Sequence, residues 1–142
     1  MSRRDLLAFE GPAEAFRRAF AEAGIGVRDV DFAEVHDCFT IAELMIYEAM
    51  GLAPRGEGAR IVEHGTVFRD GALPVNLSGG LKAKGHPVGA TGVSMHVLAA
   101  MQLAGEAGDI QRDGATLGCV FNMGGSGVAS YCSILEVEKA AA

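Results

Sequence analysis

Apolar and charged positions alternate at helical spacing between Glu10 and Gly24. This predicts an amphipathic helix, with Pro12 in its first turn and Gly24 as its C-cap. Residues 30–35, Val-Asp-Phe-Ala-Glu-Val, read as a strand pointing at His36. Residues 39–50 are almost continuously apolar and predict a mostly buried helix, stopped by Gly51. A loop-rich stretch follows, carrying Pro54, Gly56, Gly58, Gly65, Gly71 and Pro74. Leu73-Pro-Val-Asn-Leu77 predicts a short strand, and a helix is expected from about Pro87 to Ala104, broken by Gly105. The apolar, β-prone runs 116–121 and 128–137 predict two adjacent strands around a turn, Asn122-Met-Gly-Gly-Ser-Gly127. Glu138 to Ala142 is expected to fray.

The order α, β, α, loop, β, α, β, β implies a mixed sheet layered with helices, an α/β fold in one domain covering residues 1–142. In such sheets ligands sit beyond the carboxyl ends of the strands. Three polar, glycine-rich junctions, at 36–40, 79–92 and 122–127, each follow a predicted strand and are expected to converge on one edge. The loop from Gly51 to Pro74 is expected to line or cap the same region.

Composition narrows the possible partners. The chain has 142 residues, 49% of them hydrophobic, with a net charge of −6. That is enough to bury a core, and it argues against nucleic acid as the main partner, since no basic run exceeds Arg3-Arg4. No apolar stretch approaches the roughly 20 residues of a membrane span. The N-terminus, Met-Ser-Arg-Arg-Asp-Leu-Leu, lacks the apolar segment of a signal peptide. Three cysteines are an odd number and suggest reduced thiols in a cytoplasm. The 20 glycines cluster in the later loops and point to several places where backbone must approach closely.

Residues 79–92, Gly-Gly-Leu-Lys-Ala-Lys-Gly-His-Pro-Val-Gly-Ala-Thr-Gly, are the richest in candidate chemistry. His86 can act there as a general base or an oxyanion donor, or it can simply hydrogen-bond backbone. His36-Asp-Cys-Phe39 opens a helix, where the dipole and a nearby imidazolium would favour the Cys38 thiolate. The plainer alternative makes Asp37 or Thr40 an N-cap and Cys38 a small buried hydrophobe. Lys82 and Lys84 can meet phosphate or form a solvated loop face. His96 falls inside a helix and reads as structural, while Cys119 and Cys132 lie in apolar strand patterns and read as core. No two Cys or His residues have metal-ligand spacing, so no metal site is expected. In the 122–127 turn, Asn122 and the glycines can expose a backbone N–H for an oxyanion hole.

Taken together, His36-Asp-Cys-Phe39, Gly85-His86-Pro87 and Asn122-Met-Gly124 resemble, in order and in spacing, the C-terminal half of thiolases. The His-Asp-Cys-Phe form resembles the sterol-carrier-protein-2-type thiolases, where most thiolases carry Asn-Glu-Ala-Phe. The resemblance covers about residues 10–137. It implies a coenzyme A thioester as substrate, with no tightly bound cofactor, in Claisen condensation or thiolysis, an acyltransferase role in lipid metabolism. It assigns nucleophile activation and thioester binding to His86 and a water-holding oxyanion role to His36. The family's usual closing Cys-x-Gly reads Asn122-Met-Gly124 here, so the acid/base role passes to Cys38 and the second oxyanion hole to the Gly124 N–H. Gly80 and Gly85 are the expected substrate contacts.

In thiolases the nucleophilic cysteine lies in an N-terminal half, and none of Cys38, Cys119 or Cys132 has that context. The expectation is therefore either a separate N-terminal half as partner, alongside acyl-CoA, or a chain that is a fragment of a longer protein. Cut from that half, a mixed sheet would expose an apolar face, so a tight complex or oligomer is expected. A non-catalytic acyl-CoA-binding or scaffolding domain is the alternative, and an aldolase-type carbon–carbon lyase is a third possibility.

Overall fold

A computed structural model describes residue 5 and residues 7–138. The expected frayed tail lies almost wholly outside them. Helix α1 (Glu10–Ala23) ends at Gly24, whose N–H satisfies the Ala21 and Phe20 carbonyls, the C-cap the sequence marks. Strand β1 spans Phe32–Val35, α2 Thr40–Ala49 and α5 Thr91–Ala104, with two short helices, α3 (Gly58–Glu63) and α4 (Gly80–Lys84), between α2 and α5. Strands β2 (Leu117–Gly124) and β3 (Ala129–Glu136) close the chain.

The three strands form one mixed sheet in the order β1-β2-β3. β1 runs parallel to β2 with Phe32 opposite Gly118 and Val35 opposite Phe121. β2 and β3 form an antiparallel hairpin in which Asn122 faces Tyr131. Alternate residues of a strand point to opposite faces, and here each face has its own core. Ala33, Val35, Cys119, Phe121 and Met123 pack toward α1 and α2, where the Phe16 ring stacks on Phe121 with centroids 4.6 Å apart. Phe32 and Val120 pack with Leu81 of α4 and Met95 and Ala99 of α5 on the other face. Gly118 belongs to that second face because a Cβ there would lie 2.5 Å from the Phe32 ring. Glu34, His36 and Asn122 follow the same alternation and rise on the α5 side.

Several sequence expectations are corrected. The strand expected at 73–77 is reduced to a single bridge between Ala33 and Val75. Pro74 has no N–H to donate. Asn76 then takes a left-handed φ of 55° and bonds its side-chain Oδ1 to the Val35 N–H instead. The helix expected from Pro87 begins at Thr91. Pro87 sits a turn earlier, its carbonyl accepting from the Ala90 and Thr91 N–H groups. The loop 51–74 contains α3, packed on α2. The 79–92 loop contains α4. The turn expected at 122–127 is shorter, because cross-strand pairing carries β2 through Gly124. Asn122 is thus a strand residue, and the turn is built from Gly125, Ser126 and Gly127, all at positive φ.

Candidate active site

β1 ends one residue before His36, and the parallel register continued by one step sets His36 beside Asn122. The contact is made: His36 Nδ1 lies 2.6 Å from Asn122 Oδ1. An amide oxygen only accepts, so His36 carries its proton on Nδ1 and presents a bare Nε2. The ring is buried, which lowers its pKa below the ordinary value. Asn122 opposes this by bonding the protonated ring, while His86 nearby adds to the lowering. His36 is therefore held neutral at physiological pH. Asn122 is itself seated against α5: a Cβ on Gly92 would come within 2.9 Å of its Nδ2.

His86 stands edge-on to His36, with ring centroids 4.9 Å apart and planes at 85°. It is exposed on its outer side. Its Nδ1 lies 2.7 Å from the Thr91 hydroxyl. That hydroxyl donates its proton to the Pro87 carbonyl at 3.0 Å, so it must accept from His86 Nδ1–H. The same logic as for His36 leaves His86 Nε2 free to take a proton or, once protonated, to donate to an oxyanion. Sequence reasoning did not single out Thr91. Its position in the first turn of α5, five residues beyond His86, is a weak signal that only the fold makes specific.

Cys38 is half-buried where the two cores meet, touching residues of both. The Lys82 ammonium reaches its backbone carbonyl at 3.5 Å. Neither Asp37 nor Thr40 caps α2, whose N-cap residue is Phe39 with no side-chain bond. Asp37 instead caps α4 from a distance: its Oδ1 accepts from Leu81 N at 2.7 Å and its Oδ2 from Lys82 N at 3.4 Å. Gly80 is the residue this cap requires. Its φ is 62°, and any Cβ would meet the Asp37 carboxylate at 2.3 Å. Gly85 follows α4 at φ 94°, with open space where a Cβ would be. Gly124 closes β2 opposite Ala129, two residues past Asn122 on the same face and exposed.

Other candidates fall away from this cluster. His96 bonds Gly92 O at 2.7 Å through Nδ1 and Ser133 Oγ at 3.0 Å through Nε2, tying α5 to β3. Cys119 is fully buried and Cys132 half-buried. Lys84 is not the solvated loop residue one reading allowed, since its side chain is 19% exposed and paired with buried Glu34. Lys82 does stay exposed.

Two imidazoles in edge-on contact, each with Nδ1 engaged and Nε2 free, stand where two glycine-rich junctions meet a strand end and form a site suited to moving protons and steadying an oxyanion. The fold that carries it is an α/β layer with a three-stranded mixed sheet. Residues 1–137 match the family described as thiolase C-terminal domain-like, and the chain belongs to that family. It is 46% identical over 125 residues to an acetyl-CoA acetyltransferase of Methanothermobacter thermautotrophicus, covering 88% of this chain and 33% of that protein. It is 42% identical to sterol carrier protein 2 of Rattus norvegicus, covering 87% of this chain and 23% of the relative. A benzoylsuccinyl-CoA thiolase subunit, BbsB, of Thauera aromatica is 38% identical over 100 residues, covering 70% of this chain and 26% of that subunit. Among solved structures, a chain of the Ltp2-ChsH2(DUF35) aldolase superposes with a TM-score of 0.84 at 25% identity, covering 98% of this chain and 35% of that one. The chain thus spans about a third or less of the relatives it matches.

Proposed function

We propose that this chain is the C-terminal part of a thiolase-type acyltransferase acting on coenzyme A thioesters, and that it works with a thiolase N-terminal half bearing the nucleophilic cysteine. The observation that carries the reading is the His36–His86 contact, with each Nδ1–H engaged and each Nε2 free. His86 Nε2 takes the proton of the partner's cysteine thiol as that sulfur attacks the thioester carbonyl. Once protonated, it donates to the oxyanion. His36 Nε2 accepts from a water that donates its other hydrogen to the same oxygen. Cys38 removes or returns the proton at the incoming acyl α-carbon or thiol. In this reading the second oxyanion hole falls to the Gly124 N–H and the Asn122 amide, and the substrate contacts to Gly80 and Gly85.

The partner is supported by α5. Its sequence, Thr-Gly-Val-Ser-Met-His-Val-Leu-Ala-Ala-Met-Gln-Leu-Ala, is apolar nearly all round, which suits a helix covered on both sides. Thr91, Met95, Ala99 and Gln102 are buried, Met95 and Ala99 against the sheet, but Val93 and Val97 are 66% and 52% exposed. Val88 and Tyr131 extend this bare face. An N-terminal half fits the length by which the relatives exceed this chain.

The test is reconstitution. The chain alone should not thiolyse acetoacetyl-CoA, and addition of a thiolase N-terminal half should restore turnover. Turnover by the isolated chain would refute the shared site. Binding of acyl-CoA by the complex with no acylation of the partner's cysteine would favour the non-catalytic alternative. The aldolase among the structural relatives keeps a lyase reading in view; release of a ketone or aldehyde without consumption of free coenzyme A would select it.

A further inference from the structure

One buried carboxylate has no part in the chemistry above. Glu34 lies on β1 and is 2% exposed. Its Oε1 accepts from Ser78 N at 3.1 Å, and its Oε2 accepts from Ser78 Oγ at 2.5 Å and from Lys84 Nζ at 3.5 Å. Lys84 Nζ donates to Ser78 Oγ as well, at 3.1 Å. The placement of this group is what gives it meaning. Glu34 precedes His36 by two residues, so strand alternation puts both on the same face. Lys84 precedes His86 by two residues and is the last residue of α4. A single buried pair therefore joins the two segments immediately upstream of the two histidines.

The His86 segment needs such an anchor. α4 is five residues long, far too short to be stable by itself. Asp37 holds its start. Between its end and His86 stands only Gly85, which has no side chain to pack and faces open space where a Cβ would be. A buried ion pair contributes little net stability, because desolvation offsets the attraction, but it fixes geometry wherever its hydrogen bonds are complete. We infer that Glu34 and Lys84, braced by Ser78, are positioning residues that set the His36–His86 contact. They touch neither substrate nor the reacting atoms. The inference rests on the acyl-transfer reading only for its catalytic consequence.

The test uses the full chain, isotopically labelled, and reads the contact itself by NMR. Lys84→Met should abolish the nuclear Overhauser effect between the His36 and His86 rings while the β2–β3 amide pattern persists. Lys84→Arg, which keeps the charge and donors, should retain it. Glu34→Gln combined with Lys84→Met removes the uncompensated buried charge, so its melting temperature should recover while the ring contact stays lost. A ring contact of parental strength in both neutralised variants overturns the proposal. So does its return in the double variant, since relief of a buried charge would then be all that mattered. With an N-terminal half added, Lys84→Met should slow acylation of the partner's cysteine by about tenfold or more at unchanged KM. If the parent chain supports no acylation either, the acyl-transfer reading fails, and the ring contact still decides the positioning role.

Discussion

At the residue scale, the site depends on two imidazoles being told which nitrogen to protonate. His36 owes its tautomer to Asn122, and removing that acceptor strands a buried N–H. Asn122→Ala should cost about 1–3 kcal/mol in urea unfolding and broaden the His36 ring signals; loss of less than a few tenths would show that water replaces the amide. Burial lowers the His36 pKa below 6.5, so between the native midpoint and 6.5 the unfolded chain binds more protons. Its contribution to stability is therefore complete above pH 6.5 and lost as the pH falls through the native midpoint. Glu43 has the opposite sign. Burial raises its pKa, with Asp37 adding to the rise and bonds from Tyr47 and Asn76 opposing it. Its contribution is complete below its ordinary value of 4.5 and lost as the pH rises through the raised one. Glu43→Gln should therefore gain stability relative to the parent at pH 8 compared with pH 4.5, read from urea midpoints at the two pH values. His36, His86 and Asn122 were legible from sequence as members of three polar, glycine-rich segments, although only His36 follows a strand, since 73–77 makes a single bridge and Asn122 lies within β2. Thr91, Glu34 and Lys84 were not, because what matters in each is a partner that only folding supplies.

At the element scale, the sequence predicted the periodic helices and the hairpin well, for a physical reason. α1, α2 and β2–β3 are specified by their own apolar spacing and by glycine stops such as Gly24. The misplaced elements are those whose stability is borrowed. α4 exists because Asp37, on another segment, bonds its first free N–H groups, and residues 73–77 stop at a single bridge to Ala33 because Asn76 fills the next ladder position with a side chain. No local pattern encodes either event. Gly80→Ala is then a test of the borrowed cap, combining a strained φ of 62° with a clash against Asp37. It should destabilise the chain by about 2–4 kcal/mol by urea unfolding. Gly85→Ala, strained but unobstructed, should cost less, and equal losses would mean that the Asp37 contact is unimportant. The register makes a further prediction. Cys119 and Cys132 have sulfurs 3.6 Å apart but are diagonal partners, since Cys132 faces Phe121 and Cys119 faces Ile134. A disulfide needs close Cβ atoms and a specific S–S dihedral, which a diagonal pair reaches less readily than a directly opposed one. The bond to Cys132 and burial together raise the Cys119 pKa, which further slows oxidation. After mild oxidation and denaturation, thiol titration should still count all three cysteines, and the loss of two would show that the hairpin can shift to bridge them.

At the scale of the whole molecule, the main fact is that one side of α5 is bare at Val93, Val97 and Ala100. The helix that carries Thr91 at its start, and so fixes His86, is buried against the sheet on one side and presents Val93 and Val97 to solvent on the other. If an N-terminal half covers that side, its docking and the ordering of the site are coupled, because the covered helix begins at Thr91, which holds His86 Nδ1. Charge on the bare face should separate folding from assembly. Val97 is half exposed and outside both core clusters, so the melting temperature of Val97→Glu should stay near the parent's, with a stability change within about 0.5 kcal/mol. Its binding to a thiolase N-terminal half should fall by more than tenfold, read by calorimetry, because the carboxylate would have to be desolvated in the interface. Val128→Glu, exposed beside the β2–β3 turn and outside α5, is the matched control and should bind like the parent. Equal binding by both variants would place the N-terminal half elsewhere and would also remove the link between docking and the His86 geometry.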